Sequence, residues 1–251
     1  SSFSMIVLEK ELSKPYEMID MVTTPDGSLV AMVHCNNCTS DLNAWINLFK
    51  EYQKLLGIPV DMNELYGKLY NHALAGDADC GGLISYNYIS GEPVTGLADG
   101  RPLFVRSAND KFNLANFMRT HLYASVGVLK IGNDILFNEE KIKVDRITGH
   151  GGLFKTKGVG QRILAAAINS PISVMETAGE GGAWGIALLG SYLVNNEKNQ
   201  SLADFLEDKV FAGDAGIEIS PTAEDVAGFN TYIENYKAGL PVEEAATRFK
   251  K

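Results

Sequence analysis

Ile147-Thr-Gly-His-Gly-Gly-Leu-Phe-Lys-Thr-Lys-Gly-Val-Gly-Gln161 joins a strand-like run to a helix through a glycine-rich bend. Such bends are where α/β proteins hold phosphates and nucleotides. Val144 to Ile147 reads as the strand. Val159, Ile163 and Ala167 recur at helical spacing, so the first N–H groups of that helix are free to face a ligand. Gly149, Gly151 and Gly152 permit close backbone approach and positive φ.

Upstream of the bend the pattern opens with strands. Ser2 to Leu8, Ile19 to Thr24 and Leu29 to Cys35 are apolar runs, and Pro25-Asp26-Gly27-Ser28 supplies a turn between the last two. Thr39, Ser40 or Asp41 can cap a helix carrying Leu42, Trp45, Ile46, Phe49 and Leu56, which Gly57-Ile58-Pro59 stops. Asp61 to Ala75 is a second helix, followed by a flexible link from Gly76 to Gly82, the apolar run Leu83 to Tyr88, and a loop from Ser90 to Pro102. Asn113 to Phe137 reads as a long helix with His121 on its inner face. Beyond the bend, Ile172 to Met175 is a short strand and Gly182 to Val194 a helix. The tail reads as two amphipathic helices, Pro221 to Tyr236 and Val242 to Lys251. Hairpins first and strand–helix alternation later predict an α/β domain with a mixed sheet flanked by helices.

The chain has 251 residues, 45% of them hydrophobic and 21% charged, with a formal net charge of −9. That length buries roughly 75% of the unfolded surface, and the acidic balance without a basic cluster argues against nucleic acid. No apolar run reaches the ~18 residues of a membrane span, and a cytoplasmic protein is expected. Three cysteines make no disulfide framework. Cys35-Asn-Asn-Cys38 has a spacing that could serve metal or thiol chemistry, with His34 and Cys80 as further ligands. The second such pair of a zinc ribbon is absent, and the position suits small buried side chains. Asp77 and Asp79 lack the further ligands of a calcium loop and read as solvated. Trp45 and His121 read as core residues, and no metal ligands or catalytic residues are assigned in this chain.

A dinucleotide-binding oxidoreductase is the plainest rival, since Gly149-x-Gly151 follows a strand and Glu176 closes the next one. Phe154 occupies its third glycine position, however, and Lys155-Thr156 lacks the preceding glycine of a Walker A loop.

Four segments, in order and spacing, resemble the C-terminal half of the FGGY carbohydrate kinases, the group of xylulokinase, ribulokinase and glycerol kinase. Gly151-Gly152-Leu153-Phe154-Lys155-Thr156 with Gln161 is similar to the family's Gly-Gly-Gly-Ala-Lys-Ser segment and downstream Gln. Gly181 to Leu189 is similar to its glycine–alanine helix start, Tyr88-Ile89-Ser90-Gly91-Glu92 to its Tyr-Leu-Ser-Gly-Glu loop, and Trp45 to a frequent tryptophan. The likeness covers roughly residues 1 to 195, with 196 to 251 as a helical extension of one C-terminal nucleotide-binding domain.

The resemblance implies the actin-like ATPase (ribonuclease H-like) fold, ATP and Mg²⁺ as cofactors, and transfer of the γ-phosphate to a sugar hydroxyl. The sugar it implies is a pentulose such as xylulose or ribulose. Gly151, Gly152 and Thr156 would line the adenosine, with Lys155 nearby. Ser1 and Ser2 would follow a Gly-Thr turn that holds the phosphates. The catalytic aspartate would belong to an N-terminal domain, leaving this chain inactive alone. That domain, the sugar and, as one option, a second copy in a homodimer are the partners implied. A non-catalytic actin-like nucleotide-binding module is the other alternative.

Overall fold

In the computed structural model, which describes residues 1–196, 200–212 and 216–249, one helix organises everything else. The chain runs β1 (Ser2–Val7), β2 (Asp20–Thr23), β3 (Leu29–Cys35), α1 (Ser40–Leu55), α2 (Met62–Ala73), β4 (Ile84–Tyr86) and β5 (Leu103–Val105). It continues through α3 (Leu114–Asp134), β6 (Ile147–Thr148), α4 (Val159–Ile168), β7 (Ile172–Val174), α5 (Gly181–Asn195), the single turn α6 (Leu202–Phe205), β8 (Ile217–Ile219) and α7 (Ala223–Thr247).

α3 is the central helix because it is apolar or small on nearly every side, and its residues from Ala115 to Leu129 are buried all round. The Asn113 side chain caps it by accepting from the Asn116 N–H at 2.9 Å. The antiparallel sheet β1-β3-β2 lies along it. Ser4 donates to Asn133 Oδ1 at 2.6 Å, and Gly132 lets Val33 approach where a Cβ would collide. α2 and α4 pack on other sides of α3, and the antiparallel pair β4-β5 on another. The sheet β6-β7-β8 is the mixed one, with β6 and β7 parallel and β8 antiparallel.

Three expectations are corrected. The tail holds a single long helix, α7, with Pro241 inside it. Proline removes one intrahelical hydrogen bond, yet tertiary packing of Phe229, Tyr232, Tyr236 and Glu243 carries the helix across it. Positions 250 and 251 of the expected last helix lie outside the described residues. The segment beyond 195 is not helical alone, since Ile217-Glu218-Ile219 returns to pair with β7. The strand before the bend is also shorter than Val144 to Ile147 suggested: pairing begins at Ile147, where Ile172 stands opposite.

Candidate functional site

Two glycine-rich turns leave the parallel strands side by side. After β6, the Gly149 N–H donates to the Ser173 carbonyl at 2.8 Å, which ties the bend to β7. Phe154 folds back over Gly149 so closely that a Cβ there would lie 2.5 Å from its ring. The packing explains the bulky residue where a dinucleotide-binding loop requires glycine. Gly151 has φ of +108°, a conformation open to glycine and costly to other residues, and a single helical turn follows over Gly152–Phe154. Gln161 fixes α4 to the sheet by donating to the carbonyls of Ile172 and Ile217 at 3.1 and 2.7 Å.

After β7, a turn over Glu176–Glu180 leads into α5. This second turn faces the first. A Cβ on Gly181 would lie 2.6 Å from His150 Nδ1, and one on Gly179 would lie 3.2 Å from Lys155 Cε. Lys155 Nζ meets Glu180 Oε1 at 2.9 Å. Gly151, Gly152 and Gly182 point instead into open space, with no atom within 4 Å of an added Cβ. The expected site residues Gly151, Gly152, Lys155 and Thr156 are therefore grouped on one wall. Thr156 is half-buried, and its carbonyl accepts from the Val159 N–H at the start of α4. The Lys155–Glu180 bridge and the His150–Gly181 contact had no signal in the sequence, because both depend on the second turn folding back.

Ser2 opens a different sheet, where it opposes Cys35, and Ser1 precedes it. Ser2 Oγ is enclosed and has no hydrogen-bonding partner. The loop after β3 is locked rather than reactive. Asn37 Oδ1 accepts from the N–H groups of Ile89 and Ser90 at 2.9 and 3.2 Å, and its amide donates to Glu92 Oε2 at 3.1 Å. Asn36 donates to the Gly91 carbonyl at 2.8 Å. This clamp gives the Tyr88-Ile-Ser-Gly-Glu92 loop a physical role. Sequence reasoning missed Asn37 and the buried Glu92, although two asparagines directly after a strand are a recognisable loop-locking signal. Burial pushes both the Cys35 and Cys38 thiols upward, which disfavours thiolate chemistry at the pair.

His121, Ser85 and Asp41 form a cluster of nucleophile, base and acid types, but its geometry is wrong for catalysis. Ser85 Oγ lies 2.9 Å from His121 Nδ1, and Asp41 Oδ2 lies 3.7 Å from the same nitrogen. A catalytic triad requires serine and acid on opposite ring nitrogens. His121 Nε2 is buried without a partner, and desolvation holds this imidazole down near a pKa of about 3. An edge-to-face contact with Phe117 and a tilted one with the half-buried Trp45 complete a structural core. Asp77 is corrected: rather than being merely solvated, it takes Lys111 Nζ and Asn116 Nδ2, each at 2.8 Å. Asp79 accepts from the Gly81 N–H at 2.9 Å. Among the described residues no cluster of three metal-ligating side chains forms, and no helix is long and apolar enough to cross a membrane.

Two facing glycine turns at the ends of parallel strands, beside a hairpin sheet on a shared central helix, form the candidate site. The fold matches that of three solved kinases. Xylulose kinase from Rhodospirillum rubrum has a TM-score of 0.67 at 18% identity, over 98% of this chain and 46% of its own. Gluconate kinase from Lactobacillus acidophilus gives 0.70 at 17%, over 99% and 47%. Glycerol kinase from Plasmodium falciparum, solved with ADP, gives 0.65 at 17%, over 96% and 45%. The chain thus spans slightly less than half the length of each. A search of curated protein sequences finds no match. Residues 1–194 match the model of the FGGY family of carbohydrate kinases, C-terminal domain, and the chain belongs to that family. Its fold is the actin-like ATPase fold. The dinucleotide-binding oxidoreductase alternative is thereby overturned, because parallel pairing stops at β6–β7 and no doubly wound sheet exists among the described residues.

Proposed function

We propose that this chain is the nucleotide-holding half of an ATP-dependent sugar kinase. The observation that carries the reading is the pair of facing turns with open space beyond Gly151, Gly152 and Gly182. The backbone of Gly151 and Gly152 lies against the nucleoside, Thr156 offers a hydroxyl, and Lys155, anchored by Glu180, places a cation at the rim. Ser1 and Ser2 stand at the phosphate side. When bound, ATP with Mg²⁺ supplies the transferable phosphoryl group and the cation that spreads its charge.

The residues of this chain bind and orient. The base that takes the acceptor's proton and the sugar contacts come from an N-terminal half, and closure of the two halves excludes water. α5 supports that division. It is apolar almost throughout, yet none of its described side chains is buried, and Ile186, Leu193 and Val194 are 69, 78 and 82% exposed. A helix apolar on all sides is expected to be covered, and the other half is the cover. The acceptor is a pentulose such as xylulose or ribulose, and a cytoplasmic setting suits the use of ATP.

The test is calorimetric titration of the chain with ADP and MgCl₂, paired with an assay of sugar-dependent ADP release. Weak ADP binding and background release are expected. Absence of ADP binding overturns the nucleotide reading, and sugar-dependent release above background overturns the division between halves.

A further inference from the structure

The end of α7 follows a proline inside the helix and carries one buried acid. At Gly239 the helix passes so close to Tyr86 Oη that a Cβ would collide, and two residues later Pro241 leaves a helical carbonyl without its intrahelical donor. Glu243, next on the inner side, is wholly buried. Its Oε1 accepts from the Arg101 backbone N–H at 2.7 Å, while Oε2 has no partner. Arg101 also reaches the helix end, donating to the Phe249 carbonyl at 2.9 Å with its guanidinium 5.9 Å from the Phe249 ring centroid. An open groove of about 460 Å³ lies between them, lined by Thr95 to Asp99 on one side and Leu240, Pro241 and Glu244 on the other. Leu240 and Ala246 pack inward, and the hydrogen bonds between segment 240–249 and loop 95–102 run through Glu243 and Arg101.

We propose that residues 240–249 form a proton-controlled strap, docked on loop 95–102 when Glu243 is neutral and released when it ionises.

The groups facing Glu243 favour its neutral form. Tyr86 and Tyr88 come from β4 and its extension, Tyr236 lies about two turns back on α7, and all three rings bring no positive charge. Tyr236 Oη is itself buried without a partner. Glu92, beyond Tyr88, is a second buried acid. The Arg101 guanidinium is the nearby cation, and it is committed to Phe249. Desolvation accordingly outweighs the Arg101 contacts and raises the Glu243 carboxyl from 4.5 to about 7. The sign follows: a raised pKa in the docked state makes docking strongest below pH 4.5 and progressively weaker as pH rises toward 7. A shift of this size corresponds to about two orders of magnitude in the docking equilibrium.

Release has somewhere to act. Gly100 packs so tightly on Ser90 and Tyr88 that a Cβ would lie 2.5 Å from the Ser90 carbonyl, and Ser90 is held by Asn37 beside the Cys35–Cys38 turn. The strap thus adjoins the loop clamp next to Ser2 rather than the glycine turns.

Hydrogen exchange of the chain between pH 5 and pH 8, corrected for intrinsic exchange rates, tests the idea. Exchange of amides in 240–249 and 97–102 is expected to accelerate at least tenfold across that range, while α3 amides stay constant. Glu243→Gln, fixed in the neutral shape, is expected to abolish the acceleration. Equal protection at both pH values in the native chain, or the same acceleration in Glu243→Gln, overturns the proposal. If that variant fails to fold, the carbon-13 shift of the Glu243 carboxyl decides: a midpoint near 7 that coincides with strap opening supports the latch, and one near 4.5 overturns it.

Discussion

Arg119 Nη2 lies 2.7 Å from Asp225 Oδ1, and both side chains are 3% exposed. This pair joins the central helix to α7. Asp225 also takes Arg162 Nε at 2.7 Å, through its second oxygen, and so links α4 into the same network. Arg119 spends its remaining donors on Tyr123 Oη and the Gly76 carbonyl. Three helices distant in sequence are thereby locked at one point.

Removing one partner leaves a buried charge unpaired. Asp225→Ala is expected to lower the unfolding free energy by about 3–5 kcal/mol, read from urea denaturation, whereas Arg119→Met with Asp225→Leu recovers much of the loss. Desolvation pushes the Asp225 carboxyl up, but hydrogen bonds from Arg162, Thr222 and Arg119 outweigh it and hold the group below its ordinary value. Its contribution is therefore present above pH 3.8 and is lost as pH falls through the lower, folded pKa. A double variant no more stable than Asp225→Ala contradicts this account.

His121 gives the opposite pH signature to Glu243. Its folded pKa, near 3, lies below the ordinary 6.5, so the neutral ring stabilises the fold fully above 6.5 and progressively less below it. Between pH 7 and pH 5 the native chain is expected to lose about 2 kcal/mol more than His121→Gln does, as measured by chemical denaturation at each pH. Identical pH profiles for the two proteins would count against a neutral, structural His121.

The hairpin sheet, the helices and the bend were legible because each depends on local pattern: alternation, helical spacing, Pro25-Asp26-Gly27. What escaped depends on distant partners. β5 and β8 are three residues each and owe their strand character to Ile84–Tyr86 and Ile172–Val174 opposite them. Pro241 read as a break because sequence shows the missing N–H but not the buried Tyr236 and Glu243 that hold the helix together. At the site, Gly151 and Gly152 announced themselves, while Glu180 and His150 became meaningful only once the second turn was seen to face the first.

Gly152 separates binding from stability. Its Cβ direction is open and its φ is not left-handed, so Gly152→Val should leave the melting temperature nearly unchanged. In the proposed nucleotide site the added isopropyl group fills space meant for the nucleoside, and ADP affinity is expected to fall at least tenfold by calorimetry. Gly151→Val, at φ of +108°, is expected to lower both. Unchanged ADP affinity in Gly152→Val places the nucleotide elsewhere.

α5 provides the test of the missing half. Leu193 and Val194 make little contact with the rest of the chain, so Leu193→Asp is expected to shift its stability by under about 0.5 kcal/mol. Covered by a second domain, the same carboxylate would be buried without a partner and costly. Co-expression with an N-terminal half from a kinase of this family is therefore expected to yield a complex with the native chain and a complex at least tenfold weaker with Leu193→Asp, read by analytical ultracentrifugation. Ile186→Lys, two turns earlier on the helix, is expected to weaken it similarly, while Lys68→Ala on the exposed face of α2 is not. Equal association of all four proteins would mean that α5 is not the surface the other half covers.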